Sequence, residues 1–149
     1  MPAAADPSLP SDTTIARSMR LETAGTARDF ATSELRNRAT DSSKPAATTH
    51  YRAVEGDEEV AFVALDVLPG RQFIVLYEVF VRSDRREQGI GLRVMSAVEA
   101  HAREQGFRQI KLRPHPLDQS NSAEELRQWY TRQGYAEDEI DHALLQKRL

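Results

Sequence analysis

The 149-residue chain contains no cysteine, which excludes disulfides, thiolate metal sites and a cysteine nucleophile. It also lacks a long apolar run. Its apolar runs, such as the one around Ile74 to Leu76, fall far short of the roughly 20 residues that span a bilayer, so a soluble chain with no membrane partner is expected. The start, Met-Pro-Ala-Ala-Ala-Asp, has neither the basic nor the apolar segment of a secretory signal, and a cytoplasmic location is the default expectation. No charge sign dominates: 20 Lys and Arg against 23 Asp and Glu leave a net charge of -3, the wrong balance for a dedicated nucleic-acid binder. Three of the histidines, His50, His101 and His142, have a spacing that makes no metal site.

What is present suffices for one core. A hydrophobic content of 40% in a chain of this length points to a single domain over residues 13–149. Before it, Met1 to Asp12 is rich in Ala, Pro, Ser and Asp and reads as a floppy tail, because it buries too little surface to offset its ordering entropy. Thr13 to Met19 reads as a short strand and Leu21 to Arg38 as a helix with Phe30 and Leu35 inward; Asp41 to Thr49 is a loop by its turn residues. Tyr51 to Val54 and Glu59 to Leu68 are strand-like runs joined by a hairpin turn at Glu55-Gly56-Asp57. Gln72 to Arg82 is a third strand, apolar on both faces and so expected at the centre of a sheet. Ile90, Val94 and Val98 form one apolar face of a helix that Gly106 stops. Phe107 to Arg113 follows as a strand. Ser122 to Glu125 fits a capping box opening a helix with Leu126, Trp129 and Tyr130, Gly134 closes it, and Tyr135 to Leu149 supplies one or two terminal strands. The class is α/β in the α+β sense.

The most informative point is the junction Val81-Arg-Ser-Asp-Arg-Arg86-Glu-Gln-Gly89-Ile-Gly91, where a strand ends and a helix begins. A helix start presents unpaired N–H groups and the positive end of the macrodipole, and glycine lets a bulky polyphosphate reach them. Arg82, Arg85 and Arg86 cluster beside it. A Walker loop needs Gly-x-x-x-x-Gly-Lys-Ser/Thr, which does not occur, and a dinucleotide fingerprint needs a small residue where Val94 stands. The spacing Arg86-x-x-Gly89-x-Gly91 instead resembles the acyl-coenzyme A signature of the GNAT-type N-acetyltransferase superfamily. Downstream, Leu126-Arg-Gln-Trp129-Tyr130-Thr-Arg-Gln-Gly134-Tyr135 resembles the same family's second motif, a helical tyrosine four residues before a Gly-aromatic pair. The resemblance covers roughly Tyr51 to Tyr135.

The resemblance implies the GNAT fold: a mixed, mostly antiparallel sheet flanked by helices and splayed near its middle, here between Gln72 to Arg82 and Phe107 to Arg113. It implies acetyl-CoA as co-substrate, with no metal. The main chain of Val79 and Val81 would meet the pantetheine arm, and Arg86, Glu87, Gln88, Gly89, Ile90 and Gly91 would hold the pyrophosphate. With no cysteine to carry the acyl group, transfer is expected to pass directly to a primary amine on a small molecule or protein. Tyr130 would protonate the departing thiolate; the competing reading packs it with Trp129 as core. Glu78, an acid in an apolar strand, is the candidate base, against a carboxylate facing solvent or paired with an arginine. His115 is the next candidate. Ala123 stands where the family often carries an asparagine, with Asn121 two residues away. A non-catalytic acyl-CoA-binding or regulatory module, or an interaction domain with an idle site, is the alternative, and a homodimer is compatible with the resemblance.

Overall fold

Apolar and polar residues alternate from Met19, and β1 (Met19–Ala24) follows. Met19 and Leu21 pack on the core, while Arg20 and Glu22 pair with each other at 2.9 Å. The helix expected from Leu21 therefore begins later, as α1 (Ser33–Asp41). Local hydrogen bonds explain the difference. Asp29 accepts from the Gly25 and Thr26 amides at 2.7 and 3.1 Å, and Thr26 accepts from the Arg28 amide, which turns the chain before a helix forms. Phe30 and Leu35 are buried as expected. The computed structural model describes residues 18–42, 44–114 and 122–149. The expected tail, most of the Thr13 to Met19 strand, His115 and Asn121 lie outside these residues.

The remaining strands are β2 (Thr48–Glu55), β3 (Glu58–Val67), β4 (Phe73–Val81), β5 (Gln109–Leu112), β6 (Ala136–Glu137) and β7 (Leu145–Arg148). They form one sheet in the order β1-β2-β3-β4-β5-β7-β6, antiparallel except where β4 meets β5. The helices α2 (Ile90–Glu104) and α3 (Ala123–Arg132) complete the described elements. Ser122 and Glu125 form the expected capping box, with both bonds present at 2.9 and 3.1 Å. Gly106 and Gly134 follow the two helices with left-handed φ values of 88° and 97°, which glycine adopts without strain.

Two cores lie on opposite faces of the sheet. Ile90, Val94, Met95 and Val98 of α2 and Tyr130 of α3 pack with Ala61, Val63, Leu65, Ile74 and Leu76. Leu35 and Ala39 of α1 pack with Phe30, Phe62 and Ala64 on the other side.

One irregularity decides which residues face which core. Ala64 pairs with Glu78 but Leu65 pairs with Leu76, so Tyr77 is an unopposed bulge residue. Side chains alternate along a strand, and the extra residue shifts the alternation by one. Ile74 and Leu76 before the bulge, and Val79 and Val81 after it, thus share the α2 side, whereas Phe80 packs on the α1 side and Glu78 meets α1.

Candidate active site

The sheet opens beside the second half of β4. β5 runs parallel to β4 for four residue pairs, from Phe73↔Gln109 to Leu76↔Leu112, and among the described residues Glu78 to Val81 have β3 as their strand neighbour and no other. The Arg82 amide donates to the Val60 carbonyl at 2.9 Å, which sets the phase of the β3–β4 ladder. By antiparallel alternation Glu78 and Phe80 turn their main-chain groups toward β3, and Val79 and Val81 turn theirs into the opening. The Val81 carbonyl is met there by Nε of Arg86 at 3.0 Å. The remaining groups of Val79 and Val81 are donors and acceptors suited to an extended amide-bearing chain.

Directly after β4 the chain makes a short 3-10 turn, Ser83–Arg85, and then enters α2. Glu87 has φ 63°, a left-handed value outside glycine, and Gly89 at the helix N-cap has φ 74°. No side chain caps α2, and its first turn holds no acidic residue. The first helical N–H groups, from Ile90 onward, therefore point out of the helix end with the dipole behind them, which suits an anion. The arginines nearby are engaged with acids rather than solvent: Arg82 pairs with Asp84 at 2.7 Å and with Glu58, Arg85 pairs with Glu58, and Arg93 pairs with Glu55 at 2.5 Å. Arg86 is folded back, its guanidinium 4.9 Å above the Phe80 ring.

The two glycines differ in what they leave room for. A β-carbon on Gly91 would lie 3.2 Å from Cζ2 of Trp129, so the missing side chain there admits the indole of α3. On Gly89 it would meet Nη1 of Arg93 at 3.2 Å, at a φ that side chains rarely adopt. Spacing in the sequence pointed to phosphate access at both; Gly91 also has this packing reason.

Tyr130 is 7% exposed and lies edge-on to Trp129 and Tyr135, with ring centroids 5.0 and 5.6 Å away. Its hydroxyl makes no hydrogen bond to another described residue, and burial pushes its pKa up to about 12. Its packing is that of a core residue, as the competing reading had it, and burial holds its proton in place. Tyr135 is fixed from behind by a buried cluster that the sequence reading did not find. Its hydroxyl donates to Glu99 at 2.9 Å, and Lys147 reaches the same carboxylate at 3.1 Å. Burial and the Glu99 charge raise the Tyr135 pKa. The available signal was Glu99 itself, an acid in step with Met95 and Ala102 on the apolar face of α2.

Glu78 is 7% exposed and lies on the α1 side of the opening. Its Oε2 is 2.8 Å from Nε of Arg38, and its Oε1 accepts from Ser42 Oγ at 2.9 Å. Of the readings open for this carboxylate, the arginine pair is the one the geometry displays.

A family model described as an acetyltransferase (GNAT) domain matches residues 46–137, more than half of the chain. No curated protein matches the sequence. Among solved structures, an IAA acetyltransferase from Bacillus cereus is 12% identical with a TM-score of 0.58, over 89% of this chain and 100% of its own. A GNAT family acetyltransferase from Elizabethkingia anophelis, solved with acetyl-CoA bound, is 15% identical with a TM-score of 0.58, over 89% and 99%. The Paia N-acetyltransferase of Thermoplasma acidophilum, in complex with coenzyme A, is 13% identical with a TM-score of 0.56, over 89% and 99%. At these identities the likeness is one of fold.

Proposed function

The chain belongs to the GNAT acetyltransferase family and is an acyltransferase, and from that premise we propose that it moves an acetyl group from acetyl-CoA directly to a primary amine. The observation that carries this reading is the half of β4 beyond its pairing with β5 among the described residues, running straight into the uncapped start of α2. An extended amide chain fits the first and a pyrophosphate fits the second, and two solved relatives in fold carry coenzyme A or its acetyl ester. Val79 and Val81 hold the pantetheine amides through their main chain. The turn of Arg86, Glu87, Gln88, Gly89, Ile90 and Gly91 holds the pyrophosphate, with the N–H groups at the α2 start as donors.

The co-substrate supplies the acetyl thioester. As the new C–N bond forms and the C–S bond breaks, the amine loses one proton and the sulfur gains one. Tyr130 delivers the second from its hydroxyl, which burial keeps protonated at neutral pH, and regains a proton from solvent. Both oxygens of Glu78 are engaged, Oε2 with Arg38 and Oε1 with Ser42, which weighs toward a holding role for Glu78, with the amine proton passing to solvent.

Calorimetric titration of acetyl-CoA into the purified protein tests this reading, with Gly89→Glu as control. The expected result is saturable binding in wild type and none in the variant, whose circular dichroism remains that of a folded chain. Absence of binding to folded wild type, or retained affinity in Gly89→Glu, overturns the placement of the cofactor.

A further inference from the structure

One edge of α1 lies along the open half of β4. Glu34 accepts from the Ser83 amide and hydroxyl at 3.0 and 3.2 Å, Arg38 pairs with Glu78 at 2.8 Å, and Ser42 donates to Glu78 at 2.9 Å. These three residues are spaced i, i+4, i+8, one polar stripe of the helix, while Leu35 and Ala39 turn into the core. The stripe thus walls the opening on the side opposite α2 and α3.

Arg38 is the member of that wall with unused capacity. Its Nε is closed to solvent against Glu78, yet the side chain as a whole is 25% exposed, so the exposed part is the outer end of the guanidinium. Neither Nη makes a hydrogen bond or ion pair with a described residue. By contrast, Arg36, Arg52, Arg82, Arg85 and Arg93 each spend an Nη on a protein oxygen. Nε lies 2.8 Å from Glu78 Oε2 as an ion pair without hydrogen-bond alignment, and the planar guanidinium turns its two Nη groups the other way as a fork, which matches the two oxygens of a carboxylate. Glu78 already neutralises Arg38, so a bare anion gains little there. A molecule carrying both an ammonium and a carboxylate matches the pair charge for charge.

We propose that the outer edge of Arg38 binds the carboxylate of the acetyl acceptor, and that the acceptors are small amino acids or similar amine-bearing carboxylates. This rests on the acetyl-transfer reading above. Glu78 is then a positioning residue: it aims the fork and offers the ammonium a counter-charge on the β4 side of the wall.

The test compares matched amines that differ only in the carboxylate, such as alanine with ethylamine and leucine with isoamylamine, in wild type and Arg38→Lys. Lysine keeps Glu78 neutralised but removes the fork. In wild type the carboxylated member is expected to have a kcat/KM at least about tenfold higher, and in Arg38→Lys the ratio is expected to fall to within about threefold of one, with acetyl-CoA affinity unchanged. Equal use of both members by wild type, or an intact preference in Arg38→Lys, overturns the proposal. A second measurement needs no turnover: alanine and ethylamine are titrated against both proteins by NMR. Tighter binding of the amino acid to wild type alone supports the carboxylate site even if acetyl-CoA fails to bind, and equal binding overturns it even if transfer is seen.

Discussion

Tyr130 has a packed ring and a hydroxyl with no hydrogen bond among the described residues, and each property carries a consequence. If its proton goes to the leaving thiolate, Tyr130→Phe lowers the acetyl-transfer rate by about a hundredfold while acetyl-CoA affinity stays within about twofold, measured by steady-state kinetics beside calorimetry. An unchanged rate would remove Tyr130 from the chemistry. The pH profile is a second reading of the same group. A phenol held near 12 remains protonated across the neutral and mildly alkaline range, so its ionisation removes no activity from about pH 7 to about pH 10. Residues of this kind were legible because the motif names them by spacing. Arg38, Ser42 and Glu99 were not, since their roles rest on partners distant in sequence: Glu78 for the first two, Tyr135 and Lys147 for the third.

The elements themselves divide in the same way. The meander from Tyr51 to Arg82, the α2 stripe, the capping box at Ser122 and the closing glycines were readable, because each is set by period or by local hydrogen bonds. The stretch from Leu21 to Thr32 was misjudged because β1 owes its existence to β2, with which it pairs from Met19↔Glu55 to Ala24↔His50. Placing α1 from Leu21 also hid the register of its polar stripe. The contact between α2 and α3 gives a test at this scale. Gly91→Ala puts a methyl group 3.2 Å from the Trp129 indole, and α3 must give way. We expect a loss of about 1–3 kcal/mol with a shifted emission from this single tryptophan, measured by urea unfolding followed by fluorescence. Unaltered stability and emission would mean that the two helices are not held at this point.

Across the whole molecule, stability should be bounded by two groups of titrations. For Glu59, burial works to raise the pKa, but hydrogen bonds from Ala31, Arg52 and Thr32 outweigh it and hold the carboxyl below its ordinary value. A depressed carboxyl contributes stability above its unfolded pKa that is lost as pH falls through the folded one. Tyr51 and Tyr130 are raised by burial, and Tyr135 by burial and Glu99, so their contribution is present below the ordinary phenol value of 10.0 and is lost as pH rises. Urea midpoints should therefore form a plateau between these limits. Glu59→Gln should lower the plateau by about 1–3 kcal/mol and flatten its acid side, because it leaves Arg52 with Glu22 as its one acid and loosens the Ala31–Thr32 turn. An acid side unchanged by that substitution would assign the loss to other carboxylates.

The bulge at Tyr77 makes this architecture depend on a count of residues as well as on their kind. Were Tyr77 to take a regular place in the ladder, the rest of the strand would turn over like a card, with Glu78 driven among the aliphatic side chains beneath α2 and Val79 and Val81 presented to Arg38. Removing the Tyr77 codon does the opposite: Leu76 and Glu78 become neighbours, the ladder closes up, and each later side chain keeps its wall of the cleft.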